Sequence, residues 1–246
     1  MREEQERIEQ LEKERQVENF MFLRMVKLMI ETNRRVEDAR TSLLCHKTFS
    51  VEESFRLFDI NQNGKIAVNE ITQVFSEHSI ELTDVERLVE LVDKDDDGTI
   101  DFREWEAALH PLRPCRGAGP ASPNLSIEQR NLFQRAWLEQ LASVFSLMIQ
   151  ADADVNEKRN QLQLDGERLY SDMDNRNMGY ITVHNFAAWV AENCGYQLLE
   201  DDLPGLEQSL DGSNYYRITK EGFIEVVSVP GDEEEEEAAG AGKAAQ

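Results

Sequence analysis

Residues 93–104 read DKDDDGTIDFRE, and this short stretch decides much of the fold. Acidic residues crowd around a single glycine, Gly98, and a glutamate closes the stretch at Glu104. Like charges at such short separation repel one another, and the repulsion is relieved only by a cation. The composition of the segment therefore predicts a loop that binds a positive ion.

The spacing of these acids matches the calcium-loop pattern D-x-[DN]-x-[DN]-G-x5-E, the signature of an EF-hand. Ca²⁺ is a hard cation that takes six to eight oxygen ligands, and Gly98 permits the sharp turn that residues with a Cβ resist. Ile100 is expected to pair with its counterpart in a neighbouring loop. The predicted ligands are all oxygen donors: Asp93, Asp95, Asp97, Thr99 through its carbonyl, Asp101 through a water, and Glu104.

A second stretch, DINQNGKIAVNE at 59–70, fits the same pattern with fewer charges. Ala67 stands at the ninth position and offers no side-chain oxygen. Because affinity in these loops depends on ligand charge, we expect a weaker calcium site here than at 93–104, the alternative being a structural loop that stays empty. The predicted ligands are Asp59, Asn61, Asn63, Lys65 through its carbonyl, and Glu70.

The chain contains an internal repeat. LMIETNRRVEDARTSL at 28–43 lines up with LMIQADADVNEKRNQL at 147–162, and the loops follow at an offset of about 115 to 119 residues. Matching helix and loop over this distance indicates duplication of a unit that has one long helix followed by two helix–loop–helix motifs.

The loops of the second copy keep the length and lose the ligands. In DNRNMGYITVHN at 174–185, Arg176 and Met178 replace ligands and Asn185 replaces the closing glutamate. In DGSNYYRITKEG at 211–222, Tyr215 is no ligand, Tyr216 holds the glycine position and Gly222 stands where glutamate is needed. We therefore expect both loops to be metal-free and structural.

The two leading helices carry apolar stripes. Ile8, Phe22, Met29, Val36 and Leu43 recur at seven or fourteen residues, which favours packing onto the chain's own domain, with a homodimeric coiled coil as the alternative. Calcium sensors line their grooves with methionine, yet 47–110 has none, whereas Met21, Met25, Met29 and Met148 lie on the leading helices. Our hypothesis is that each leading helix fills the groove of its own EF-hand pair.

Helix starts and linkers set the expected domain organisation. Capping boxes at Ser50…Glu53, Thr83…Glu86 and Ser126…Gln129 predict helix N-termini. The fold class is therefore all-α, with two EF-hand-pair lobes, each preceded by a long helix, and short β-bridges between paired loops. The predicted segments are a leading helix at 1–47, a calcium-binding pair at 48–110, a Pro/Gly linker at 111–125, a second leading helix at 126–165, a degenerate pair at 166–229 and a disordered acidic tail at 230–246.

Composition limits the partners. The formal charge of −23 disfavours nucleic acid and anionic lipid. The charged N-terminus lacks a signal-peptide pattern, no apolar stretch is long enough to span a membrane, and the cysteines Cys45, Cys115 and Cys194 are scattered. We expect a cytoplasmic protein with protein partners. The four histidines have no catalytic or metal spacing and no enzyme motif is found, so we expect no enzymatic activity.

These loops resemble those of the calmodulin superfamily over 48–110 and, in degenerate form, over 166–229. The unit of LMIETNRRVEDARTSL, FRLFDINQNGKIAVNE and LVDKDDDGTIDFREWEAALHPLRP is similar to repeats of protist ciliary EF-hand proteins. That resemblance implies a calcium-binding structural or regulatory component of a cytoskeletal assembly, associated with microtubules in a ciliary or flagellar axoneme. The alternative is a calmodulin-like sensor that binds target helices reversibly.

Overall fold

The computed structural model describes residues 2–46, 48–112, 127–210 and 217–229. These residues are mostly helical and contain only two-residue strands, which confirms the predicted all-α class with short β-bridges. The predicted linker lies almost entirely outside the described residues, and the predicted acidic tail lies wholly outside them. None of the described helices is both long and apolar enough to cross a membrane.

The first copy consists of one long helix followed by two helix–strand–helix motifs. Its elements are α1 (Arg2–Leu44), α2 (Val51–Phe58), β1 (Lys65–Ile66), α3 (Val68–Glu77), α4 (Val85–Val92), β2 (Ile100–Asp101) and α5 (Phe102–Leu109). The second copy repeats that order, with a 3₁₀ turn (Glu200–Asp202) added before its third pair helix. Its elements are α6 (Ile127–Leu162), α7 (Gly166–Met173), β3 (Tyr180–Ile181), α8 (Val183–Cys194), α9 (Leu203–Leu210), β4 (Ile218–Thr219) and α10 (Lys220–Val227).

Helix starts follow the capping chemistry in part. The Ser50 Oγ accepts a hydrogen bond from the Glu53 N–H at 3.3 Å, which confirms the predicted start of α2. The predicted cap at Thr83 is wrong by one residue, because Asp84 caps α4 and its carboxylate accepts from the Arg87 N–H at 3.3 Å. A carboxylate also interacts favourably with the helix dipole, which favours Asp84 over the neighbouring hydroxyl. The third predicted box begins at Ser126, outside the described residues.

Each pair of loops is joined by a minimal antiparallel bridge. Ile66 of β1 faces Ile100 of β2, as predicted, and Ile181 of β3 faces Ile218 of β4. All four isoleucines are buried. The bridge therefore fixes the two loops of a pair side by side and sends one apolar side chain from each into the core.

The chain forms two compact units. The central unit runs from Ile30 to Asp154, and the discontinuous unit combines Met1–Met29 with Val155–Gln246. Both long helices change unit along their length, α1 after Met29 and α6 after Asp154. The first EF-hand pair therefore shares a unit with the first part of α6, and the second pair shares one with the first part of α1.

Phe145 of α6 lies at the centre of the core of the central unit. Its ring centroid is 5.5 Å from that of Trp105 on α5 and 6.3 Å from that of Phe75 on α3, in edge-to-face geometry. Nearer the start of α6, Trp137 contacts Phe49 at 5.5 Å. Helices α3 and α5, which follow the two loops, thus form a groove that α6 fills.

Phe22 of α1 has the same role in the discontinuous unit. Its ring centroid lies 5.9 Å from each of Phe186, Trp189 and Phe223, which belong to α8 and α10. Phe22 is completely buried. The groove of the second pair is therefore filled by the first leading helix.

These contacts overturn the hypothesis that each leading helix fills its own pair. The first part of α1 occupies the second groove and the first part of α6 the first, whereas the rest of α1 stays in the unit of the first pair, with Leu43 in its core. The hypothesis was right that the chain supplies its own groove ligands and wrong about which helix serves which groove. Ile8, the first residue of the predicted heptad stripe, is exposed, whereas Met25 and Met29 are buried within the chain.

Candidate metal centre

Loop 93–104 is curled by two residues with left-handed backbone. Asp96 has φ of 57° and Gly98 has φ of 80°. Only glycine adopts the second value without steric cost, so Gly98 meets the requirement predicted from the sequence. The curl turns the backbone N–H groups of the loop toward the side chains that precede them.

Asp93 organises the loop from its first position. Its Oδ2 accepts a hydrogen bond from the Gly98 N–H at 2.7 Å, and its Oδ1 accepts from the Asp97 N–H at 3.4 Å. Carboxylate oxygens of Asp93, Asp95 and Asp97 all lie within 4.8 Å of one another. Three of the predicted ligands are thus brought to one point, at the separation that a shared cation requires.

Glu104 and Asp101 form a reciprocal cap at the start of α5. The Asp101 Oδ1 accepts from the Glu104 N–H at 2.9 Å, and Glu104 Oε2 accepts from the Asp101 N–H at 2.9 Å. The other Glu104 oxygen accepts from the Lys94 N–H at 2.6 Å. Glu104 is therefore held in the loop but is not part of the three-carboxylate cluster. Thr99 donates its N–H to Asp97 at 3.0 Å, which leaves the Thr99 carbonyl as its predicted donor to the ion.

The carboxylates of the cluster repel one another. Loss of hydration, followed by the neighbouring charges of Asp97, Glu104 and Asp93, raises the pKa of Asp95 above its ordinary value. A hydrogen bond from the Lys65 ammonium lowers the pKa of Asp97. A divalent cation relieves this repulsion, and the donor set consists entirely of oxygen. The residues present therefore fit Ca²⁺.

Loop 59–70 has a similar pattern of backbone hydrogen bonds but fewer carboxylates than loop 93–104. Asp59 accepts from the N–H groups of Asn63 at 3.0 Å and Gly64 at 2.9 Å. Glu70 accepts from those of Asn61 at 3.2 Å and Ala67 at 3.0 Å. Both carboxylates are buried, and the loop contains no third one. The amide oxygens of Asn61 and Asn63 accept backbone N–H groups of the loop, so they help to shape it.

Loop 174–185 shows what remains when the ligands are lost. Asp174 still accepts from the Met178 N–H at 2.9 Å and the Gly179 N–H at 2.8 Å. At the twelfth position, the backbone N–H of Asn185 donates to the Thr182 hydroxyl at 3.2 Å, as the Glu104 N–H donates to Asp101 in loop 93–104. The first aspartate therefore shapes the backbone even in a loop whose other ligands are gone. Of the loop at 211–222, residues 211–216 lie outside the described part of the chain.

The Lys65 side chain makes a contact that the sequence analysis did not predict. The sequence predicted the Lys65 carbonyl as a ligand of loop 59–70 and no role for its side chain. The Lys65 ammonium pairs with Asp97 of the other loop. The pairing of β1 with β2, which sets Lys65 opposite Asp101, carries the only signal for this contact.

Comparison with known proteins agrees with this geometry. A family model described as an EF-hand domain pair matches residues 49–109. Calcium-dependent protein kinase 5 of Solanum tuberosum is 32% identical over 78 residues, and the match covers 32% of this chain and 15% of that protein.

Two further relatives are shorter proteins. Probable calcium-binding protein CML23 of Arabidopsis thaliana is 34% identical over 61 residues, covering 24% of this chain and 39% of the relative. Probable calcium-binding protein CML27 of the same plant is 30% identical over 87 residues, covering 33% and 51%. The chain thus spans about half or less of the length of these relatives. Residues 49–109 match the EF-hand-pair model, and this match together with the oxygen donors of the loops supports Ca²⁺ as the cation that the segment binds.

Proposed function

We propose that this protein is a calcium-binding structural or regulatory component of a larger protein assembly. In this proposal, Ca²⁺ at loop 93–104 sets how firmly the first EF-hand pair holds helix α6 of the same chain. The observation that carries the proposal is the burial of Phe145 between Phe75 and Trp105. A groove of this kind is where a calcium-dependent EF-hand pair receives a target helix.

The chain connects the ion site to the groove through adjacent residues. Glu104, the predicted bidentate ligand, immediately precedes Trp105, which is completely buried and donates its indole N–H to the Ser54 hydroxyl at 3.0 Å. For Glu104 to ligate an ion, it must exchange hydrogen bonds with the loop backbone for contacts with the metal. Such a shift moves the first turn of α5 and therefore the tryptophan that contacts Phe145.

An internal groove ligand favours this role over that of a free sensor. A reversible sensor needs an open groove after calcium binds. In the central unit α6 fills that groove and is also held by Arg87, whose guanidinium donates two hydrogen bonds to Asp152 at 2.8 and 2.9 Å. Displacement by an external helix would have to break this paired contact as well as the aromatic one.

The sensor remains the second candidate because of the relatives. Two of the matched proteins are described as probable calcium-binding proteins and a third as a calcium-dependent kinase. A protein that acts as a calcium sensor would release α6 from the groove of the first pair when calcium binds, and a target helix would then bind in that groove.

We place the component in the cytoskeleton, with microtubule-associated partners in a cilium or flagellum, and we propose binding without catalysis. The support for this location is the sequence resemblance of the helix–pair unit to ciliary repeat proteins. The net charge of −23 supports protein partners over nucleic acid or anionic membranes.

A hydrophobic dye separates the two candidates. Calcium is added to the full chain and to a Phe145→Ala variant in the presence of a dye that fluoresces on apolar surface. If α6 stays in the groove, the wild type gives little increase and the variant gives a large one. An equally large increase in the wild type supports the sensor instead.

Location is tested separately with a tagged copy. The proposed component remains in the detergent-insoluble cytoskeleton in calcium and in chelator alike. A tagged protein that is released into the soluble extract under both conditions contradicts the cytoskeletal assignment.

A further inference from the structure

We propose that the Lys65 side chain is a built-in competitor of Ca²⁺ at loop 93–104. Lys65 belongs to β1, at the seventh position of loop 59–70, and its ammonium pairs with Asp97 Oδ2 in the neighbouring loop. Asp97 is one of the three carboxylates that meet at the ion site. An incoming ion must therefore displace the lysine from a ligand.

The contact uses the Asp97 oxygen that has no other hydrogen-bond partner among the described residues. Asp97 Oδ1 accepts hydrogen bonds from the N–H and the hydroxyl of Thr99, and these bonds shape the turn. Asp97 Oδ2 is left to face a cation, and it is the atom that Lys65 contacts. The ammonium and Ca²⁺ thus compete for one lone-pair-bearing oxygen.

The position of Lys65 is set by the backbone of both loops. The bridge pairs Lys65 with Asp101 and Ile66 with Ile100, and both isoleucines are fully buried. A lysine at this register position is held next to the acidic cluster of the other loop. The Asp97 carboxylate raises the pKa of Lys65, so the amine is fully charged at neutral pH.

The same residue touches both calcium loops. Its carbonyl is a predicted ligand of loop 59–70, and its side chain pairs with a ligand of loop 93–104. In this proposal the two sites are coupled through one residue, because an ion at 93–104 releases the ammonium of Lys65 from Asp97.

The test compares two lysines by calorimetric titration of the full chain with calcium. Lys65→Met removes the competitor, and Lys94→Met is the matched control, since Lys94 carries the same charge within the loop but forms no ion pair among the described residues. An exposed ion pair is worth less than one factor of ten in an equilibrium. We expect Lys65→Met to raise the affinity of loop 93–104 about two- to five-fold more than Lys94→Met does. Lys65→Arg keeps a cation at this position and is expected to stay near the wild-type affinity.

Equal affinities for the two methionine variants would overturn the competitor role, because removal of positive charge alone would then explain any gain. Circular dichroism verifies that each variant is folded. The phase of the isotherm that belongs to loop 93–104 is identified by its loss in Glu104→Gln. The inference rests on calcium binding by this loop: no heat from the wild type defeats the proposed function, whereas heat that Lys65→Met leaves unchanged defeats only the inference.

A second measurement reports on the lysine itself. The rates at which Lys65 and Lys94 react with an acetylating reagent are followed by mass spectrometry, with and without calcium. If calcium releases Lys65 from Asp97, calcium is expected to speed the acetylation of Lys65. The acetylation rate of Lys94 is expected to be nearly the same with and without calcium. A Lys65 rate that calcium leaves unchanged contradicts displacement.

Discussion

Replacement of Phe145 by alanine tests whether α6 is an integral part of the first EF-hand pair. The side chain is 1% exposed and contacts two aromatic rings. Truncation of a buried phenylalanine to alanine costs about 3–5 kcal/mol, because apolar burial is lost and a cavity remains. The total stability of a domain is about 5–15 kcal/mol. The loss is therefore a large part of what holds the central unit together.

The assay is urea unfolding followed by tryptophan fluorescence. Trp105 and Trp137 both lie in the core of the central unit and report on it. With a denaturant slope of about 2 kcal/mol per molar urea, the expected loss shifts the midpoint by about 1.5–2.5 M. The matched control is Leu132→Ala on the same helix, because Leu132 is 68% exposed and its loss is expected to change stability by less than about 0.5 kcal/mol.

An unfolding curve for Phe145→Ala that overlays the Leu132→Ala curve would contradict this prediction. In that case the buried face of α6 would add no more to the free energy of unfolding than its exposed face does. The groove of the first pair would then have to be stable without α6.

Three further predictions concern the ion site and the cysteines. Glu104→Gln removes a charged, predicted bidentate ligand and is expected to abolish calcium binding at loop 93–104 in calorimetry, with retained tight binding as the contrary result. Loss of hydration, and then the neighbouring carboxylates, raise the pKa of Asp95, so protons compete with Ca²⁺ for this carboxylate as the pH falls. Affinity is therefore expected to fall as the pH drops toward 4, with proton release on binding; a pH-independent affinity between 4 and 7 contradicts this. Burial raises the pKa of Cys194 to about 11, whereas Cys45 is exposed, so alkylation at pH 8 is expected to label Cys45 first in mass spectrometry. Equal labelling rates would contradict the burial of Cys194.

The features that the sequence predicted correctly are local. Two of them, the turn at Gly98 and the Ser50 cap, depend on residues within one short segment. The pairing of Ile66 with Ile100 follows because these residues hold the same position in two similar loops. The convergence of Asp93, Asp95 and Asp97 follows from the curl of a single loop, and its spacing can be read directly from the motif.

The exchange of the leading helices could not be predicted in the same way. Both helices carry an apolar face, and duplication makes the two grooves alike, so local patterns do not favour one assignment over the other. The choice depends on contacts such as Phe22 with Phe186, which are far apart in the chain. The Lys65 contact also escaped prediction, because it depends on which residues the β-bridge places side by side.

The exchanged helices mean that each half of the chain supplies an aromatic side chain to the core of the other half. A chain cut within 113–126 yields an amino-terminal piece that carries Phe22 without its groove and a carboxyl-terminal piece that carries Phe145 without its own. Neither piece alone offers Phe22 or Phe145 the ring partners that each contacts in the full chain. Expressed together, the two pieces are expected to reassemble, because each supplies the aromatic side chain that fills the other's groove.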